Sequence, residues 1–120
     1  MKHSPGFLKL VDETRPRVRE VDVAEARERQ AKGARLVDVR EENEWNAGHA
    51  ATAEHISKGV IERDIENEIP DKDAEIILYC GGGYRSVLAA DALQRMGYTN
   101  VASMAGGWRA WLKAGAPTDN

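Results

Sequence analysis

Short apolar runs that alternate with helix-like segments limit this chain to few architectures. Leu36-Val37-Asp38-Val39, Ile76-Ile77-Leu78 and Val101-Ala102-Ser103-Met104 are compact and largely apolar. Runs of this length read as strands, and near-continuous apolar character means burial on both faces. Helix signals lie between them. Asp22 can cap a helix over Val23 to Lys32, which Gly33 stops. Val60 to Glu68 places Ile61 and Ile65 on one face, and Pro70 closes it. Tyr84 to Met96 gathers Val87, Leu88, Ala92, Leu93 and Met96 on one side, and Gly97 ends it. Gly107 to Lys113 gives a last helix. Val18 to Val21 and Glu54 to Ile56 add short strands, and Glu41 to Asn46 adds a helical turn. This rhythm predicts an α/β fold with a mainly parallel central sheet of about five strands and helices on both faces. In such sheets ligands collect beyond the carboxyl ends of the strands.

With 120 residues the chain predicts one domain. Size scaling for 13.2 kDa gives about 6,400 Å² of folded surface against about 19,000 Å² unfolded. A real core is possible without staples. Residues 1–17 read as an N-terminal extension. Ser4 and Pro5 can open a helix there, with Phe7, Leu8 and Val11 on one face. Residues 18–117 form the domain proper, and 118–120 a tail. Seventeen basic and 20 acidic residues leave a net charge of −3, which argues against a nucleic-acid partner. No run is apolar enough to span a membrane, and the first residues lack a signal-peptide core. The expected compartment is cytoplasmic.

The single cysteine, Cys80, allows no internal disulfide and no cysteine-rich zinc site. His3, His49 and His55 are scattered, so neither a metal nor another cofactor is expected. Cys80 opens Cys80-Gly81-Gly82-Gly83-Tyr84-Arg85-Ser86, between a buried strand and a helix. Three successive glycines let the backbone curl and point its N–H groups inward. The helix start adds further free N–H groups. Cys80, at the mouth of this cradle, gains thiolate character, and Arg85 supplies a positive charge beside it. Ser86 can offer its hydroxyl or amide to an anion. A merely structural cysteine would have no use for so entropically costly a loop.

Cys-x-x-Gly-x-Arg-Ser at a strand-to-helix turn resembles the active-site loop of rhodanese-like sulfurtransferases. Asp38-Val39-Arg40, then Glu44-Trp45 and Gly48-His49, resemble further motifs of that family in the same order, as do Ala105-Gly106-Gly107-Trp108 and Trp111. The resemblance covers roughly residues 18–117. The chain departs from the pattern between Ala50 and Ser57, where Thr52 replaces a glycine and Ser57 a proline. The resemblance implies a three-layer rhodanese-like fold and a single-domain sulfurtransferase. Cys80 would take sulfane sulfur from thiosulfate or a related donor as a persulfide, held by the amides of Gly81 to Ser86. Cyanide or a thiol would then remove it. The alternative use of the same residue is a persulfide carrier or sensor that delivers sulfur to a protein partner. Protein phosphatases of related fold place five residues between Cys and Arg. Here four separate Cys80 from Arg85, a tighter ring that suits sulfur better than phosphate.

The remaining motif residues read mainly as support. Asp38 and Arg40 are expected to organise the loop through an ion-pair network, with Arg40 at the site rim as the competing role. Glu44 is expected to pair with an arginine, and His49 to make structural hydrogen bonds. Tyr84 either contacts substrate or shields the ring. Trp111 and Trp108 are expected to pack, with Trp108 the candidate for the pocket rim. The charges from Glu62 to Glu68 read as a solvated helix face.

Overall fold

A computed structural model describes residues 3–120. Five strands form one wholly parallel sheet: β1 (Arg19–Val21), β2 (Arg35–Asp38), β4 (Glu54–His55), β5 (Ile76–Tyr79) and β6 (Val101–Met104). Their order is β1-β6-β5-β2-β4, so β5 lies at the centre. All four β5 residues are buried. Ile76 and Leu78 face one core, Ile77 and Tyr79 the other, as the two-residue period of a strand requires.

Helices cover both faces. α1 (Pro5–Thr14), α4 (Ile61–Glu68) and α5 (Arg85–Arg95) contribute Val11, Ile61, Ile65, Val87 and Leu93 to one core. α2 (Val23–Ala31) and α6 (Gly107–Lys113) contribute Val23, Ala26 and Trp111 to the other. The short α3 (Glu42–Asn46) follows β2. Asp22 caps α2 by accepting the Glu25 N–H at 2.8 Å. Gly33, with φ of +109°, ends it in a conformation that a side chain would resist.

The expected elements all form, with limits shifted by a residue or so. The runs of the sequence mark apolar character, whereas strand limits follow the ladder: Arg35 pairs with Ile76, and Asp38 with Tyr79. The extension does not stand apart. α1 lies against α5, and Val11 is fully buried. Pro5 opens this helix, but the Ser4 hydroxyl makes no capping bond. The tail is ordered too. β7 (Thr118–Asp119) pairs antiparallel with β3 (His49–Ala50). Two-residue strands with no apolar run carry no period for sequence reading to find. Thr52, the departure from glycine, keeps a left-handed backbone at φ +64°. Its hydroxyl accepts the Gln30 side-chain N–H at 2.6 Å.

Candidate active site

Cys80 directly follows the central strand. Its side chain is not at the mouth of the cradle but on its floor, 1% exposed. The Gly83 N–H donates to Sγ at 3.2 Å, and the Ser86 hydroxyl lies 3.5 Å from it. Gly83 adopts φ +94°, and a Cβ there would come within 3.0 Å of the Gly106 nitrogen. Burial pushes the Cys80 thiol up. Hydrogen bonds from the Ser86 hydroxyl and the Ser86, Gly83 and Gly82 amides outweigh it and hold the pKa below the ordinary thiol value.

A second helix fixes the ring from outside. The first N–H groups of α6 turn to the loop: Trp108 donates to the Cys80 carbonyl at 2.7 Å, and Arg109 to the Gly81 carbonyl at 3.2 Å. Gly107 makes this approach possible. A Cβ on Gly107 would stand 2.2 Å from the Cys80 carbonyl oxygen. With the loop carbonyls bonded outward, its amides are free to face the sulfur.

The two motif arginines are both neutralised. Arg40 is 3% exposed and makes a 2.8 Å bond to Asp38, with a second 2.8 Å bond to the Gly48 carbonyl. Its guanidinium also lies 4.8 Å from the Trp108 ring centre. Asp38 is wholly buried and faces Arg40 rather than the cavity, so the network reading of this pair fits its geometry. Arg85 makes a two-pronged bond to Glu44 at 2.8 and 3.1 Å. That bond holds the Glu44 carboxyl below its usual value and Arg85 above its own. Glu44 thus pairs with an arginine, as expected. The amides and Ser86, not Arg85, dominate the lowering at Cys80. His49 bonds the Trp45 carbonyl at 3.0 Å and stacks on the Trp45 ring, a structural role.

Above Cys80 opens a cavity of about 690 Å³. Gly81, Gly82, Tyr84, Arg85, Arg40 and Trp108 line it with Cys80. Gly83 and Ser86 do not; they lie behind the sulfur. The Ser86 hydroxyl is fully buried and shares a 2.7 Å bond with the Ser103 hydroxyl.

Sequence reading missed four contributors. Ser103 stands inside the apolar run of β6, and that lone polar residue was the available signal. Arg109 lines the cavity from α6. His3 and Phe7 line it from the N-terminal segment, with the His3 ring 4.5 Å from that of Tyr84.

This geometry can be set against known proteins. The family model for the rhodanese-like domain matches residues 22–114. The chain belongs to the rhodanese-like family. The thiosulfate sulfurtransferase GlpE of Haemophilus influenzae is 34% identical over 101 residues, covering 84% of this chain and 94% of that protein. The mitochondrial protein High Arsenic Content 1 of Arabidopsis thaliana is 34% identical over 131 residues, covering 98% of this chain and 76% of its own. A solved structure from Rhodopseudomonas palustris, described as a possible tyrosine phosphatase, superposes with a TM-score of 0.82 at 28% identity. That match covers 99% of this chain and 98% of the other, so the rhodanese-like core and the α1 extension recur together. No helix among the described residues is long and apolar enough to cross a membrane.

Proposed function

We propose that this rhodanese-like protein is a sulfurtransferase working through a persulfide on Cys80. One observation carries the reading: a buried thiol of lowered pKa, ringed by N–H donors, at the floor of an open cavity. The Cys80 thiolate attacks the outer sulfur of thiosulfate. The bond between the two donor sulfurs breaks, and sulfite leaves with the electron pair. The persulfide anion on Cys80 sits in the amides of Gly81 to Ser86. Cyanide, or the thiolate of a cellular thiol, then attacks the outer sulfur and returns Cys80 as thiolate. Two easier displacements replace one difficult step. The amide ring supplies electrostatic stabilisation already in place. The hydrogen bonds that lower the Cys80 pKa favour the thiolate and take the place of a general base.

Delivery to a protein acceptor is the second use of the same persulfide. The absence of another cysteine favours discharge by an outside partner, because no internal thiol can resolve it. A reducing compartment, the cytosol first among them, suits a free reactive thiol. Phosphate ester hydrolysis fits less well, because the ring is a residue short and Arg85 is held by Glu44.

The test is intact mass after exposure to thiosulfate, followed by cyanide. The protein should gain one sulfur and lose it as thiocyanate, and Cys80→Ala should do neither. Sulfur transfer at the normal rate by Cys80→Ala would sink the proposal. Aryl phosphate hydrolysis lost in Cys80→Ser, with no sulfur gained by the parent, would replace it with phosphoryl chemistry.

A further inference from the structure

We propose that Arg109 binds the oxyanion half of the sulfur donor, so that the site selects donors bearing a sulfonate-type group. This rests on the sulfur-transfer reading and names the donor class for it. Three arginines line the cavity: Arg40, Arg85 and Arg109. Arg40 is closed off by Asp38 and the Gly48 carbonyl. Arg85 has both prongs on Glu44. Among the described residues, Arg109 alone of the three has no acidic partner and makes no side-chain hydrogen bond.

Its position is specific. The Arg109 guanidinium carbon would lie 3.8 Å from a Cβ built on Gly82. The cation therefore stands beside the sulfur-binding loop, within van der Waals reach of the Gly82 position. The Arg109 N–H bonds the Gly81 carbonyl at 3.2 Å, which ties its backbone to that loop. The side chain is exposed, so its charge is both hydrated and available to a ligand. Helix stability does not explain it. Arg109 is in the first turn of α6, where the helix field opposes a cation.

The chemistry fits a dianion such as thiosulfate. Its outer sulfur must reach Cys80 on the floor, which leaves three oxygens pointing toward the entrance. A planar guanidinium can take two of them at once. As the bond between the donor sulfurs breaks, negative charge grows on the departing sulfite, beside that cation. A donor with no oxyanion would gain nothing from Arg109.

Calorimetry on Cys80→Ser protein, which cannot consume thiosulfate, tests the assignment. Adding Arg109→Gln should weaken thiosulfate binding by about tenfold to a hundredfold, the range for a charge-assisted hydrogen bond. Arg109→Lys should recover part of the loss. Lys113→Gln, at the far end of the same helix, should change nothing. Thermal unfolding of each variant confirms that the fold is intact. The proposal is overturned if Arg109→Gln binds like its parent, if Lys113→Gln loses as much, or if the parent binds no thiosulfate. Equal sulfur gain by Arg109→Gln and the Cys80-containing parent at limiting thiosulfate also overturns it. Failure of that parent to gain sulfur sinks sulfur transfer itself, while the calorimetry still decides whether Arg109 holds the anion.

Discussion

Two opposed forces act on one proton at Cys80. Burial favours the neutral thiol, and the Ser86 and glycine-loop hydrogen bonds favour the thiolate more strongly. The folded pKa therefore lies below that of the unfolded chain. By linkage the thiolate stabilises the fold fully above the unfolded value, and this contribution is lost as pH falls through the folded one. Sulfur loading should follow the thiolate of the folded protein alone, falling on acidification with a midpoint below the ordinary thiol value. Thiolate ultraviolet absorbance read against Cys80→Ser checks it; a midpoint at the ordinary thiol value would contradict the geometry. Much of this was legible in the sequence, because Cys80 to Ser86 is one contiguous turn whose residues act on each other locally. Ser103 and Arg109 were not. Ser103 reaches Ser86 only because the β5–β6 register sets Leu78 beside it. The free state of Arg109 depends on which acids pair with the other two arginines, a matter settled between distant segments.

At the scale of elements, the Cys80 loop is clamped by the start of α6. Gly107 carries the contact, with φ of +53° and no room for a Cβ beside the Cys80 carbonyl. Gly107→Ala should force α6 off the loop and destabilise the protein by about 2–4 kcal/mol, summing left-handed strain and overpacking. Chemical denaturation reads the stability, and the Cys80 absorbance midpoint should rise toward the ordinary thiol value as the amides lose their aim. Unchanged stability would mean that α6 shifts freely. The two glycines before Trp108 were visible in the sequence as a motif; the surface they press against was not. Element limits were blurred for a similar reason. Apolar runs say where a strand can be, and neighbouring strands decide where its ladder stops, as the pairing of Arg35 with Ile76 does for β2. The β3–β7 pair was invisible because each strand has two residues, joined across most of the chain.

In the whole molecule the sheet separates two cores, and α1 closes one of them over α5. Removing residues 1–16 would expose the surface that Val11 covers and take His3 and Phe7 from the cavity wall. Stability should fall by about 2–4 kcal/mol, the order for one to two buried apolar side chains, as read by urea unfolding. An unchanged midpoint would show α1 to be an idle appendage. The parallel α/β plan was legible because alternating apolar runs report it directly; the docking of α1 was not, because one apolar helix face fits many surfaces. The clamp of α6 on the Cys80 loop has a consequence for how the protein is made. Synthesis runs from Cys80 onward to Ser103 and Trp108, so the groups that aim and enclose the ring leave the ribosome after the sulfur does. Until they arrive, Cys80 is an ordinary, largely protonated thiol. On the proposed chemistry a nascent chain is thus shielded from oxidants and stray electrophiles by its own incompleteness, and the thiolate is favoured only in a finished molecule.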